Sequence, residues 1–289
     1  MGMGIEARRG RARRYWEPHL RCCRDFQQCC LDNTAEHRSI AVLGAGRLYD
    51  LDVQSVLKHF SYVHLYDADP SCLPYWRRTF GAVVDNDRWR YQICDITGTL
   101  AQWSAQLQDF LRSHSATDGA ALCRALRSLA ALEPIALSDS ADAQYSCVLS
   151  LNLLGQIPVY WLDRFTLLVR KFWNLRPDAG GCFECDLAEA LESSMAKLEL
   201  QHLKFLEQSC AAKIIIISDA ALCYYRPDIA AWQAEPALAS HDNPRESLTL
   251  SGYRRTRTES WLWHISPHGI EFKDHGEIHE VLALELTKS

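Results

Sequence analysis

Several features are missing from this sequence. It has no apolar run of the roughly 18 residues that a membrane span requires, and no apolar stretch near Met1 of the kind that a signal peptide carries. Basic charge is not in excess, because 31 Lys and Arg face 36 Asp and Glu, for a formal net charge of -5. We therefore expect a soluble, cytoplasmic protein without a membrane partner, and a dedicated binder of nucleic acid is disfavoured.

The cysteines lack the partners that a metal site or a disulfide framework would need. Twelve cysteines are scattered over 289 residues, whereas disulfide frameworks belong to short secreted chains. The C-x-x-C motif from Cys182 to Cys185 has no second C-x-x-C or H-x-x-x-H to complete a zinc site. We expect buried free thiols and no bound metal.

The first 38 residues form a segment of their own. Arg8 to Arg14 is a basic arm, expected to be a solvated tail. The apolar spacing from Tyr15 to Leu31 predicts an amphipathic helix that is positioned to fold over a ligand pocket as a lid. Residues 39–289 are predicted to form one domain, with a helical insertion at residues 98–140.

That domain alternates short apolar runs with helical patterns, which is typical of a parallel sheet covered by helices on both faces. Two late strands are joined by a connection too short for a parallel crossover, so they pair antiparallel. The pattern predicts a three-layer α/β sandwich with a mostly parallel sheet of about seven strands and an antiparallel last strand. The predicted strands are Ser39–Leu43, Tyr62–Tyr66, Tyr91–Cys94, Ser146–Asn152, Lys213–Ser218, Glu259–Ile265 and Glu277–Leu286.

Two of these strands end in residues suited to a nucleoside. The first runs into Gly44-Ala45-Gly46, where the backbone can approach a ligand closely, and the second ends at Asp67, which can accept both hydroxyls of a ribose. An NAD-binding fold uses the same device, but here Tyr49 stands at the third glycine position, where it would crowd a pyrophosphate. Asp95, after the third strand, can accept from an adenine amine while Ile96 packs on the ring.

With these residues in place, the sequence resembles the class I S-adenosylmethionine-dependent methyltransferases. The resemblance implies a Rossmann-like fold and S-adenosylmethionine as cofactor. Two positions depart from the pattern: Leu48 replaces a glycine and Leu43 an acidic residue. The resemblance is carried by Val42 to Gly46, Leu65 to Pro70, Cys94 to Thr97 and Leu149 to Asn152. The cofactor-binding residues that it implies are Gly44, Ala45, Gly46, Asp67, Ala68, Asp95, Ile96 and Leu151.

The acceptor side is predicted from residues near the strand ends and on the first helix. The Asn-Pro-Pro-aromatic motif of nucleobase methylation is absent after Asn152, which favours a small-molecule acceptor. The predicted catalytic residues are Asn152, His19 and His264. The predicted substrate-binding residues are Tyr15, Trp16, Gln156, Asp219 and Tyr224.

Four alternatives stay open on the sequence. The departures at Leu43 and Leu48 suit a catalytically degenerate nucleoside sensor or scaffold. The same cofactor also serves aminopropyl or aminobutyl transferases, and the glycine turn alone would fit an NAD-linked oxidoreductase. A monomer and a homodimer would have the same sequence features.

Overall fold

A computed structural model describes residues 2–33, 38–81, 88–129, 144–174, 184–240 and 243–289. The C-x-x-C motif at Cys182 and residues 130–140 of the predicted insertion lie outside this description. Among the described residues, no helix is both long enough and apolar enough to cross a membrane.

The strands form a single mixed sheet in the order β3-β2-β1-β4-β5-β8-β7, with β6 paired to β5. β1 to β5 pair in parallel, and β8 runs antiparallel to both of its neighbours. The predicted fold class is therefore confirmed. The strands are β1 (Ser39–Leu43), β2 (Tyr62–Asp67), β3 (Trp89–Ile93), β4 (Tyr145–Leu151), β5 (Cys210–Arg226), β6 (Ala231–Pro236), β7 (Tyr253–Ser266) and β8 (Gly276–Lys288).

Helices cover both faces of the sheet, and β1 shows how. Successive side chains of a strand point to opposite faces, so Ile40 and Val42 join one apolar cluster while Ala41 and Leu43 join the other. Each fully buried Ile, Val or Leu stabilises the fold by about 1.5–3 kcal/mol. The helices are α1 (Gly2–Asp32), α2 (Val53–His59), α3 (Cys72–Phe80), α4 (Leu100–Ser113), α5 (Gly119–Ser128), α6 (Leu153–Trp173), α7 (Glu184–Ser209) and α8 (Pro244–Ser247).

The basic arm is part of α1, so the expected solvated tail is wrong. Arg8 Nε lies 2.8 Å from a carboxylate oxygen of Glu271, and Arg11 pairs with the same carboxylate. The Arg9 guanidinium lies 4.0 Å from the ring centre of Tyr49. These contacts hold the first turns of the helix against the body of the protein.

The rest of α1 packs along the sheet. Trp16 and Phe26 are almost fully buried in the same apolar cluster as the central strands. Trp16 Nε1 donates to the backbone oxygen of Ile265 on β7 over 2.9 Å. The helix is therefore a packed wall of the domain, as its apolar spacing predicts.

Apart from α1, the two largest differences from the predicted element boundaries are in α6 and β5. α6 begins at Leu153, although its pattern predicts a start near Trp161, because Pro158 and Gly155 make the first two turns look like a loop. β5 continues to Arg226 and pairs with β6, an additional strand, so the sheet has eight strands and not about seven.

The insertion forms an apolar layer of its own. α4 and α5 pack against α6 and α7 around a cluster of buried side chains that includes Trp103, Leu126 and Phe165. The rings of Trp103 and Trp161 meet edge to face at 5.3 Å. The first turn of α4 also reaches the cavity described below.

Candidate functional site

The glycine turn after β1 is shaped by close backbone contacts. Gly44 has φ +70°, and a Cβ there would lie 2.5 Å from Leu153 Cγ and 2.6 Å from the Leu151 oxygen. Its backbone nitrogen donates to the Tyr66 oxygen at the end of β2 over 3.0 Å. Only glycine can adopt this positive φ while the neighbouring atoms lie so close to its Cα. The turn therefore brings β1, β2 and α6 together at one point.

Leu48 occupies the position where the resemblance expects a glycine, and the backbone keeps the conformation that glycine favours. Its φ is +56°, which costs a side chain of this type of the order of 1–3 kcal/mol. The leucine is nearly fully buried in the apolar cluster beneath the turn. Burial of the side chain offsets the strain, so the turn survives the replacement.

A cavity of about 790 Å³ opens at the carboxyl ends of the parallel strands. The glycine turn, the ends of β2, β3 and β4, one face of α6 and part of α1 line it. Open α/β sheets bind ligands at this edge. The volume is typical of a small-molecule site.

Asp67 lies in this cavity at the end of β2. Its Oδ2 accepts from the Gly46 nitrogen over 2.7 Å and its Oδ1 from the Asp69 nitrogen over 2.8 Å. Burial raises the pKa of this carboxyl, while the bonds from Asp69 and Gly46 oppose the rise. A carboxylate has about four acceptor positions, so Asp67 can hold the turn and still accept from two ligand hydroxyls.

Asp95 follows β3 and organises the start of α4. Its Oδ1 accepts from the Thr97 backbone nitrogen over 3.0 Å and from the Thr97 hydroxyl over 2.6 Å. Its Oδ2 accepts a longer bond, 3.3 Å, from the Ala101 nitrogen. Ile96 lines the cavity beside it, so an apolar surface and an acceptor for an amine stand together.

Asp50 and Asn152 meet at the same edge. Asn152, just after β4, donates from Nδ2 to Asp50 Oδ2 over 2.8 Å. Burial raises the pKa of Asp50 to about 6, although the Asn152 bond opposes the rise. Asn152 has φ +54°, and such strain is concentrated at functional sites.

An aromatic wall closes the side of the cavity formed by α1 and β7. The His19 ring stacks on Trp263 with centroids 4.1 Å apart, and Trp16 meets Trp263 edge to face at 4.8 Å. Burial lowers the pKa of His19 to about 4, so the imidazole is neutral near pH 7. These rings form an apolar side of the cavity.

The only guanidinium groups among the described lining residues are those of Arg47 and Arg164. Arg47 lies 3.5 Å from Glu6, and its Nε is buried without a hydrogen-bond partner among the described residues. Gln156 and Tyr160 share with Arg164 the face of α6 that lines the cavity. An anionic group of a ligand would find donors at these positions.

The cavity brings together most of the residues predicted from sequence, and it excludes others. The predicted residues that line it are Trp16, His19, Gly44, Gly46, Asp67, Ala68, Asp95, Ile96, Leu151, Asn152 and Gln156. Five predicted residues are not among the described lining residues: Tyr15, Ala45, Asp219, Tyr224 and His264. Ala45 is fully buried in the turn, and His264 is exposed on the face of β7 opposite Trp263.

Asp219 and Tyr224 were expected in a loop after the fifth strand, which is wrong because β5 continues through both. Asp219 is buried, and its Oδ2 lies 3.1 Å from His279 Nδ1 on β8. Tyr15 packs against the core, with the Arg14 guanidinium over its ring. Substrate contact by these residues remains a prediction.

Several residues that line the cavity were not predicted from the sequence, although the sequence position of some of them indicates that they lie near the strand ends. Asp50 and Arg47 are close in sequence to the glycine turn, and charged residues after such a turn face the strand ends. Tyr160 and Arg164 follow Gln156 at helical spacing, but that signal appears only once α6 begins at Leu153.

No protein-family model and no curated protein matches the chain. Solved structures are similar in fold at low identity. Magnesium protoporphyrin IX methyltransferase of Synechocystis PCC 6803, with bound S-adenosylmethionine, is 11% identical, with 94% of this chain and 80% of that chain covered and a TM-score of 0.41.

Two further structures give similar values. A protein of Pyrococcus horikoshii assigned as an RNA methyltransferase is 10% identical, over 91% of this chain and 81% of that one, with a TM-score of 0.44. A protein of Listeria monocytogenes assigned as an S-adenosylmethionine-dependent methyltransferase is 9% identical, over 91% and 96%, with a TM-score of 0.40. Function therefore has to be argued from the side chains of the cavity.

Proposed function

We propose that this protein is an S-adenosylmethionine-dependent methyltransferase that acts on a small-molecule acceptor. The observation that carries the proposal is the convergence of Asp67, Asp95 and Asn152, from the carboxyl ends of three parallel strands of the sheet, on one cavity with an aromatic wall. The first two residues suit a nucleoside. The acceptor would lie on the side of the same cavity that the aromatic wall forms.

The charges of the cavity support this cofactor over NAD. The described lining residues include four carboxylates, those of Asp50, Asp67, Asp69 and Asp95, against two guanidinium groups. A sulfonium cation is stabilised by nearby carboxylates, whereas a pyrophosphate would be repelled. Tyr49 also lines the cavity close to the turn, where it would crowd a dinucleotide.

The residues present fit the cofactor. Asp67 would accept from the ribose hydroxyls, Asp95 from the adenine amine with Ile96 against the ring, and the buried Arg47 Nε would donate to the carboxylate. When bound, S-adenosylmethionine supplies an electrophilic methyl group. Because methyl transfer is an in-line displacement, the chain contributes chiefly by positioning and by excluding water.

The acceptor side favours a small molecule. Trp16, His19 and Trp263 form an aromatic surface that is buried in the fold. Three of the five arginines of the basic arm already contact residues outside α1: Arg8 and Arg11 pair with Glu271, and Arg9 lies over the Tyr49 ring. Base recognition in a nucleic acid would require an accessible surface together with phosphate contacts. A concave pocket with an aromatic wall suits a metabolite.

Calorimetric titration with S-adenosylmethionine, S-adenosylhomocysteine and NAD tests the proposal. Saturable binding of the first two, without NAD, is expected. Mass spectrometry of acceptors incubated with S-adenosylmethionine then distinguishes a gain of one methyl group from a gain of an aminopropyl or aminobutyl arm. Folded protein that binds neither S-adenosyl compound would refute the cofactor assignment, and binding without turnover on any acceptor would favour a sensor.

A further inference from the structure

The pair formed by Asp50 and Asn152 offers hydrogen-bond acceptors to the cavity. The amide nitrogen of Asn152 is already used on Asp50 Oδ2, which leaves the carboxylate and the amide oxygen. Asn152 Oδ1 is buried without a hydrogen-bond partner among the described residues. An unpartnered buried acceptor is costly unless a ligand donates to it. A ligand group with more than one hydrogen to donate fits this pair.

The pair is held in place before any ligand binds. Gln27 on α1 donates from Nε2 to the Asp50 backbone oxygen over 2.6 Å and accepts from the Asp52 nitrogen over 3.0 Å. The Asn152 backbone nitrogen donates to the Ile217 oxygen over 2.7 Å. Both side chains therefore project from backbone fixed by neighbouring elements, which is what preorganised binding requires.

Asp50 has no ion-pair partner within 4.0 Å among the described residues. Arg24, which lowers its pKa, is itself paired with Glu17 at 3.0 Å. A partly buried carboxylate without a cation is stabilised by a cationic ligand. The rings of Trp16 and Trp263 in the same cavity add π surface, which also attracts cations.

We propose that Asp50 and Asn152 bind the nucleophilic nitrogen of the acceptor, and that the acceptor is a primary or secondary amine. This inference rests on the proposed function. An ammonium group has two or three hydrogens, which match the carboxylate and the orphaned amide oxygen, whereas a hydroxyl has one. The aromatic wall indicates that the amine carries a flat apolar substituent.

The Asp50 carboxylate can also accept the proton that the ammonium must lose before its nitrogen can react. The bound ammonium gives one proton to Asp50, and the freed lone pair of the nitrogen forms the new N–C bond as the C–S bond breaks and its electron pair stays on sulfur. The products are a methylated ammonium and a neutral thioether, and the proton on Asp50 passes to water. A base with a pKa near the working pH is efficient in such a step.

Matched aromatic compounds test the acceptor class. Benzylamine, phenethylamine and tyramine are compared with benzyl alcohol and benzoate, in transfer assays with S-adenosylmethionine and in calorimetric binding to protein saturated with S-adenosylhomocysteine. Binding and methylation of at least one amine are expected. If none of the amines binds or is methylated, or if only the alcohol or the acid is methylated, the inference is wrong even though the cofactor binds.

The Asp50→Asn variant tests whether Asp50 binds the amine, and Asp52→Asn is the matched control. Asp52 lies outside the described cavity lining and caps α2 by accepting from the Ser55 nitrogen, which asparagine also does. For Asp50→Asn we expect kcat/KM for the amine to fall about 100-fold, calorimetric amine binding to be lost, and S-adenosylhomocysteine binding to stay within about threefold. A large loss of S-adenosylhomocysteine binding with unchanged amine KM would assign the pair to the amino group of the cofactor and overturn the proposal.

Discussion

The indole Nε1 of Trp261 donates to Nδ1 of His19 over 3.0 Å, and this bond fixes the protonation of the imidazole. An indole nitrogen can only donate, so Nδ1 must carry the lone pair and Nε2 the proton. Nε2 lies 3.6 Å from Cys23 Sγ. His19 is therefore held as a neutral hydrogen-bond donor. The sequence predicts His19 as a catalytic residue, and this tautomer argues against a role as a base.

Histidine NMR tests this state directly. Because burial lowers the pKa of His19 to about 4, its ring signals should show the Nε2-protonated tautomer and should not titrate between pH 5 and pH 7. A His19→Asn variant assigns the signals by their loss. Titration of those signals near pH 6.5 would mean that the imidazole is available as a base.

Asp67→Asn should weaken binding of S-adenosylmethionine. Asparagine keeps one acceptor oxygen but replaces the other with a donor, so bonds to the ribose hydroxyls worth about 1.5–3 kcal/mol are lost, and Kd rises roughly 10- to 100-fold. Calorimetry measures the change, and the unfolding transition shows whether the turn at Gly46 is intact. Unchanged affinity in a folded variant would remove Asp67 from the cofactor site.

Gly44→Ala and Gly46→Ala should differ in their effect on stability. Both glycines have positive φ, but a Cβ at Gly44 meets Leu153 and Leu151 within 2.6 Å, whereas at Gly46 the nearest atom, the Gly44 oxygen, is 3.8 Å away. Strain and overpacking together predict a loss of about 2–5 kcal/mol for the first variant and about 1–2 kcal/mol for the second. Urea unfolding measures the loss of stability of each variant. Equal losses for Gly44→Ala and Gly46→Ala would contradict the contact geometry.

The fold was predictable because its signals are local. Ile40 to Leu43 form a short β-branched and apolar run ended by glycine, and such a run in a β-α-β pattern leaves few alternatives to a buried parallel strand. Asp67 and Asp95 were predictable for the same reason, since each directly follows a strand. Residues at strand ends meet at one edge of the sheet whatever the details of packing.

The acceptor side was predictable only in part, because it depends on contacts between distant elements. Asp50 and Asn152 are 102 residues apart, and no local pattern indicates that they meet. The start of α6 was missed because Pro158 opposes a helix locally while packing of Leu154 and Ile157 favours it. Tertiary burial overrides propensity in such a case.

His202 should make the protein sensitive to acid. It is fully buried, with Nε2 2.9 Å from Ser150 Oγ, and burial lowers its pKa to about 4 from 6.5. Between these values the unfolded chain binds a proton that the folded chain does not, so stability is present above pH 6.5 and is lost as pH falls towards 4. The loss approaches roughly 3 kcal/mol.

The difference between wild type and His202→Gln isolates this contribution, since His19 and the carboxyl groups titrate in both proteins. The free energy of unfolding of the wild type, relative to the variant, should decrease between pH 7 and pH 4.5 in urea titrations. A difference independent of pH would show that His202 is protonated in the folded protein or reaches water.

Asp50→Asn should raise the stability of the ligand-free protein above pH 6. Burial raises the pKa of Asp50 to about 6 from 3.8, so its ionised form costs the folded state roughly 3 kcal/mol above pH 6, and this cost is absent below pH 3.8. The amide oxygen of the substituted side chain can still accept from Asn152. The gain of the variant over wild type, measured by urea unfolding, should therefore shrink as pH falls from 7 to 4.

Asp52→Asn is again the control, and its difference from wild type should show no comparable dependence on pH. If Asp50→Asn were less stable than wild type at pH 7.5, the carboxylate would be a structural partner of Asn152. A variant that is more stable but no longer binds an amine would instead show the trade between stability and activity that is expected of a binding residue. The carboxylate would then be kept at a cost to the fold because the ligand needs it.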